Sequence, residues 1–142
     1  MGIDLIPLTT GRITFKEPPI LLEGTPAGTR AVIEMIDIVY EGDRLSGRLV
    51  GPPAIDWLLL SADGVVGAID VRFVIQTHDD ALIHVSYRGR SDHSQGHGAL
   101  PLYTAPLFET GDPRYAWLNT VQAIGKGIVT GNVIDYEIYE VR

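Results

Sequence analysis

Residues 70–77 read Asp-Val-Arg-Phe-Val-Ile-Gln-Thr, and their strict alternation restricts the chain more than any other stretch. A strand sends successive side chains to opposite faces. Val71, Phe73, Ile75 and Thr77 therefore share one face, and Asp70, Arg72, Val74 and Gln76 share the other. An acid and a base two positions apart become neighbours. On a solvent face they are surface charges; on the inside of a barrel they begin a site.

The same pattern recurs along the chain. Ala31–Tyr40 is rich in β-branched residues, Glu41-Gly42-Asp43 supplies turn chemistry, and Arg44–Val50 can return as a partner strand. Trp57–Leu60 predicts a short strand that ends at the Asp63-Gly64 turn signal. Val65–Thr77 follows, with Gly67 as a candidate bulge. Ala81–Arg88 pairs back after His78-Asp79-Asp80. In Val133–Val141, Ile134, Tyr136, Ile138 and Glu140 oppose Val133, Asp135, Glu137 and Tyr139. Turns about ten residues apart, with no long helical stripe, predict an all-β sandwich or barrel. Arg114–Ala123 is the best helix candidate and reads equally well as a strand. Thr9–Gly28 and Arg90–Pro106 read as loops, the first with a short strand at Arg12–Phe15. Gly125-Lys126-Gly127 reads as a bulge or turn; it lacks the Ser/Thr and the upstream spacing of a phosphate-binding loop.

Composition removes several function classes. The 142 residues fit one domain with a real core, and a hydrophobic fraction of 45% is that of a folded chain. The absence of cysteine excludes disulfides, thiolate nucleophiles and cysteine-based zinc sites. A net charge of -7 with no basic patch argues against nucleic acid as a partner. The apolar runs are too short to span a bilayer as helices, and no secretory signal is visible, so the expectation is a cytoplasmic protein with no membrane partner.

Several residues can carry chemistry. Asp56 follows a Pro-rich turn and precedes Trp57; a carboxyl in a water-poor pocket acquires a raised pKa and can act as general acid or base. Its structural alternative is an Asp that caps the turn. Arg72 can stabilise developing negative charge if it faces inward, or sit in an exposed ion pair with Asp70. Tyr87, Tyr103, Glu109, Trp117 and Asn119 can complete a pocket with aromatic walls and hydrogen-bonding tips. Ordinary packing and turn capping are the alternatives. His93-x-x-x-His97 has metal-site spacing but lies in a Gly/Ser-rich loop, so no metal is expected. Ser91, Asp92 and His93 are sequence neighbours, which do not form a triad by themselves.

Five pieces in register carry a resemblance. They are Asp56-Trp57 after Gly51-Pro52-Pro53; Asp70-x-Arg72; Tyr103-Thr104-x-Pro106-x-Phe108-Glu109-Thr110; Tyr115-x-Trp117-Leu118-Asn119; and Val133-x-x-Tyr136-x-x-Tyr139-Glu140-Val141. From about Thr29 to the C-terminus the chain resembles the family catalogued as domain of unknown function 3237. The resemblance implies a single closed antiparallel β-barrel, similar in shape to allene oxide cyclase and dirigent barrels, and no agreed activity. The chain departs from the pattern at Ala54-Ile55, at Asp80 where Gly is common, and at Gln122-Ala123-Ile124.

Together these readings predict a cofactor-independent enzyme of lyase, isomerase or cyclase type. Its substrate is a small aromatic or polyketide-like molecule held in the barrel. Asp56 and Arg72 are the expected catalytic groups. Trp57, Tyr87, Tyr103, Glu109, Trp117 and Asn119 are the expected substrate contacts. A non-catalytic carrier of a small hydrophobic ligand is the alternative. Barrels of this size also form symmetric homo-oligomers.

Overall fold

The computed structural model describes residues 1–142. Eleven strand segments run in chain order as β1 (Leu5–Phe15), β2 (Ile20–Thr25), β3 (Gly28–Glu41), β4 (Gly47–Leu49), β5 (Ile55–Leu60), β6 (Val66–Thr77), β7 (Leu82–Asp92), β8 (Leu102–Thr104), β9 (Leu107–Glu109), β10 (Ala123–Thr130) and β11 (Val133–Val141). A 3₁₀ helix, Pro113–Thr120, lies between β9 and β10. The pairing runs β6-β5-β3-β1-β11-β10-β8-β7 and returns from β7 to β6, which closes an antiparallel barrel of eight strand positions. Three positions are each shared by two segments. β4 and β5 both lie between β3 and β6. β8 and β9 both lie beside β7, and β1 and β2 both flank β3.

The expected β-barrel is therefore the observed fold, and alternation explains why. Val71, Phe73, Ile75 and Thr77 are buried, and so are Ile83, Val85 and Tyr87 on the neighbouring strand. These residues face inward because each strand must bury its apolar set. In β3 the inward series changes phase, from Ala31 and Met35 to Ile38 and Tyr40. A register irregularity against β1, between Thr14 and Phe15, accommodates the change.

The two ends of the barrel differ. At one end the 3₁₀ helix is a plug: Tyr115 and Leu118 are buried, and the Asp112 side chain caps its start by accepting from the Arg114 amide at 2.9 Å. The Tyr115 hydroxyl donates to Asp79 at 2.8 Å. At the other end the loop after β7, the β10–β11 hairpin and β2 surround an opening.

Local assignments changed where tertiary contacts decide. Most of Thr9–Gly28 is strand, not loop, because β1 gains partners on both sides. Arg90–Pro106 contributes the end of β7 and all of β8. Gly125 and Gly127 lie within β10 and are not a turn. A Cβ on Gly127 would sit 2.7 Å from the Tyr136 ring, so the ring occupies the space that a side chain would need. Gly67 is paired in regular register with Ser91 and marks no bulge. Asp80, at φ 71°, sits in the left-handed region that explains why Gly is expected there. No helix of the chain is long and apolar enough to cross a membrane.

Candidate active site

A cavity of about 580 Å³ opens from the unplugged end. Its walls are mostly aliphatic, with Ala31, Ile33, Leu58, Leu60, Ile69 and Leu102 among them. Tyr87 and Tyr136 line its floor, and Phe73 and Tyr40 continue the aromatic packing away from the cavity. Tyr40 meets Phe73 edge-on, Phe73 meets Tyr87 edge-on, and Tyr87 meets Tyr136 at a tilt, each with ring centroids 6.1 Å apart. Edge-to-face contacts of this kind pack a continuous platform.

Asp56 points into this cavity from β5. The Gly51-Pro52-Pro53 segment delivers the chain to β5, and Asp56 then pairs with Ile33 on one side and Val71 on the other. Val71 in turn pairs with Tyr87, which puts Asp56 and Tyr87 on one rung across three strands. Asp56 retains only 9% exposure. One oxygen accepts from the Asp70 amide at 3.1 Å. That bond replaces a ladder contact: the β5–β6 pairing is interrupted at Trp57 and Leu58 and resumes at Leu59.

The surroundings tune Asp56 strongly. Burial disfavours the charged form and pushes its pKa up to about 7; the Asp70 amide opposes the shift, and the Asp70 charge adds to it. Near neutral pH the carboxyl is thus poised between its two forms, which suits a general acid or base. Tyr87 and Tyr136 are held as neutral phenols, chiefly by burial. The Asp56 charge raises both further, so the three groups share one electrostatic environment. The Tyr87 hydroxyl is buried and makes no hydrogen bond of good geometry; the Tyr136 hydroxyl is its nearby polar neighbour, close enough to influence the titration of both phenols. A buried polar group that is poorly partnered costs free energy.

The mouth carries a second polar cluster. The Ser91 hydroxyl lies 2.8 Å from His93 Nε2, and His93 Nδ1 lies 2.9 Å from His97 Nδ1. Burial, then the His97 charge, lowers the His93 pKa and favours its neutral form. Gly67 makes room for the pair, since a Cβ there would approach the Ser91 hydroxyl at 2.1 Å.

Of the residues expected from sequence, Asp56 and Tyr87 line the cavity. The others do not. Arg72 projects from the outer face of β6, because Val71 and Phe73 claim the interior. Trp57 is 48% exposed on the outside of β5, one residue out of phase with Asp56. Tyr103 and Glu109 are exposed on the outer faces of β8 and β9. Trp117 lies on the plug helix with the Arg44 guanidinium 4.9 Å from its ring centre. Asn119 serves the backbone: its oxygen accepts from the Thr110 amide at 2.9 Å and its nitrogen donates to the Thr110 carbonyl at 3.0 Å. Sequence reasoning missed Tyr136 as a cavity residue. The signal was present, since Tyr136 alternates with Ile134 and Ile138 and lies opposite the Gly125-x-Gly127 pair.

Comparison with known proteins gives the family and the fold. The model of the family described as protein of unknown function DUF3237 matches residues 3–141. The chain belongs to that family. A curated relative, the hydroalkoxylation enzyme PhnH of Penicillium herquei, is 31% identical over 110 residues. The match covers 78% of this chain and 65% of that protein, so the chain spans just under two thirds of the relative's length. Among solved structures, a β-barrel-like protein from Acinetobacter baumannii aligns over 100% of this chain and 98% of its own, with a TM-score of 0.86 and 27% identity. A conserved protein of unknown function from Rhodopseudomonas palustris aligns over 100% and 99%, with a TM-score of 0.88 and 17% identity. An enzyme from Penicillium herquei aligns over 99% and 94%, with a TM-score of 0.73 and 23% identity. The last two likenesses concern the fold.

Proposed function

We propose that this barrel is an acid–base enzyme acting on a small, largely apolar molecule, with Asp56 as the group that moves the proton. The observation that carries the reading is a buried carboxyl at the base of an aliphatic chamber, on the same rung as the Tyr87 phenol, where burial pushes its pKa up to about 7. The name of one relative, the hydroalkoxylation enzyme PhnH, suggests a reaction type. Hydroalkoxylation adds the O–H of an alcohol or phenol across a carbon–carbon double bond. Here the protonated Asp56 carboxyl gives its proton to one alkene carbon while the substrate oxygen attacks the other. The hydroxyl proton then returns to the carboxylate. One O–H bond and one π bond are consumed, one C–H and one C–O bond form, and nothing is oxidised or reduced. The polar groups beside Asp56 orient the substrate, and the negative charge that develops in this step falls on the Asp56 carboxylate, which the Asp70 amide stabilises by its hydrogen bond. The apolar walls keep water away from the electron-deficient carbon. Isomerase or lyase chemistry on the same scaffold would use the same proton transfer.

The direct test is conversion of ortho-prenylphenol, and of bulkier prenylated aromatics, to their cyclic ethers by the wild-type protein and by Asp56→Asn. Loss of the general acid is expected to lower kcat by about 10²–10⁴-fold. Turnover retained in a folded Asp56→Asn variant overturns the role of Asp56. Tight binding of such aromatics with no turnover by the wild type would replace this reading with ligand carriage.

A further inference from the structure

The cavity is polar at both ends and apolar between. Its floor offers the Asp56 carboxyl, with the Tyr87 hydroxyl enclosed beside it; its rim offers the hydrogen-bonded series Ser91–His93–His97. Tyr87 and Ser91 both face inward on β7, four residues apart, so floor and rim are separated by about 13 Å of strand. Leu58, Leu60 and Ile69 fill the wall between them. The charges are equally selective. Glu17, Glu23, Asp56 and Asp92 border the cavity, and no Lys or Arg does. A carboxylate or phosphate placed here would lose water without meeting a cation, and it would face like charge.

We propose that the cavity takes an uncharged, elongated molecule with a hydrogen-bonding group at each end, about 13 Å apart, and an aromatic or otherwise apolar middle. His93 reads the outer group. A ring nitrogen of a neutral imidazole can donate or accept, and the Ser91 and His97 partners orient the ring. Gly67 is the residue that permits this arrangement, because any larger side chain would occupy the space of the Ser91 hydroxyl and of His93 Nε2, 2.8 Å away. The inference rests on reading the cavity as the ligand site. It does not depend on Asp56 acting as an acid.

Three fluorescent stilbenes of matching length test it by titration: a dihydroxystilbene with a phenol at each end, a monohydroxystilbene, and a hydroxystilbene carboxylate with an acid at the second end. The dihydroxy compound is expected to bind about tenfold tighter than the monohydroxy compound, the value of one good hydrogen bond, and the carboxylate is expected to bind most weakly. His93→Ala should bring the dihydroxy compound down to the monohydroxy affinity and leave the latter unchanged. Gly67→Ala should act in the same direction by crowding the rim while both polar side chains remain. Equal binding of the two phenols, tight binding of the carboxylate, absence of binding by all three, or a uniform loss in the His93 variant would each overturn the proposal. Binding is the readout throughout. Loss of turnover in Asp56→Asn with the stilbene order intact leaves the inference standing, and a failed stilbene order leaves the acid role of Asp56 to its own assay.

Discussion

Asp56 and Glu140 are both buried carboxyls on inward-facing strand positions of the same barrel, and their surroundings push them in opposite directions. Asp56 meets aliphatic side chains, one backbone amide and a hollow; burial raises its pKa to about 7. Glu140, at the plugged end, accepts from Arg142 and from Arg44, each at 2.6 Å, and these bonds hold its pKa below the ordinary carboxylate range. The two regions follow the same contrast. At the plugged end polar side chains have partners: Glu140 has two guanidinium groups, and Tyr115 has Asp79. In the chamber the Tyr87 hydroxyl makes no hydrogen bond of good geometry. One end spends its polar groups on holding the strands closed, whereas the other leaves them available to something that is not protein.

The largest expected effect tests whether the ends differ in packing. Phe73 is fully enclosed between Tyr40 and Tyr87. Phe73→Ala should destabilise by about 3–5 kcal/mol in urea denaturation, the usual loss when a buried aromatic leaves a void. Leu60→Ala, on the edge of the existing cavity, should cost less than half as much, because fewer neighbours lose contact. Equal losses would erase the distinction between a packed half and a hollow half.

The second test uses pH. Asp56 holds its proton more tightly in the folded chain than in the unfolded chain. Below its unfolded value of 3.8 both states are protonated and no penalty exists. As pH rises from there to about 7, the unfolded state has lost the proton while the folded state keeps it, so stability falls. Above that window the full penalty applies, at most about 4 kcal/mol for a shift of roughly three pKa units, and less to the extent that water enters the chamber. Asp56→Asn removes the dependence. The stability difference between variant and wild type should therefore grow between pH 4 and pH 8, measured by thermal or chemical unfolding, whatever its offset at the acid limit. A constant difference would show that Asp56 is solvated and not poised.

These expectations rest partly on features legible in the sequence. Alternation in Val71-Phe73-Ile75 and in Ile134-Tyr136-Ile138 identified buried faces correctly, because a strand has only two sides and apolar side chains take the inner one. The same rule argued against Arg72, whose charge lies opposite the better apolar set; placing it inside required a polar barrel lining that the chain does not build there. Trp57 misled through adjacency: neighbours on a strand point apart, so a residue next to Asp56 is the one residue that cannot share its pocket. Asn119, at the end of the 3₁₀ helix, is absorbed locally by its bonds to the Thr110 backbone, and Glu109 falls on the outward phase of β9. The Ser91–His93 pair was beyond sequence reasoning. It depends on the loop after β7 folding back across Gly67, and that fold-back is tertiary.

A third test addresses the poorly partnered phenol. Tyr87→Phe deletes a buried hydroxyl without a hydrogen bond of good geometry and keeps the ring contacts to Phe73 and Tyr136. The ligand-free protein should become more stable by about 1–2 kcal/mol, since a poorly satisfied polar group is removed. Turnover of prenylated phenols should fall in the same variant. Stability and activity moving in opposite directions would mark Tyr87 as held ready for a ligand. A loss of stability instead would mean that the hydroxyl already has a bond that matters to the fold.

The smallest effect belongs to Glu140, and its sign is the opposite of that for Asp56. Its folded pKa is lowered, so its contribution is present above the unfolded value of 4.5 and is lost as pH falls through the folded value. The side chain is only 10% exposed, but it lies at the end of the barrel, and Arg142 reaches out to solvent at 60% exposure, so water and salt screen the attraction. Glu140→Gln should therefore cost only about 1 kcal/mol at neutral pH and nearly nothing in strong acid. Several exposed carboxyls with lowered pKa, such as Asp112 and Asp135, contribute to acid unfolding of the whole chain. The variant-minus-wild-type difference cancels them. That difference should shrink toward low pH for Glu140→Gln while the difference for Asp56→Asn grows toward high pH. If both differences moved with pH in the same sense, the contrast between a closed, self-satisfied end and an open, ligand-ready end would fail at its electrostatic root, even with the barrel intact.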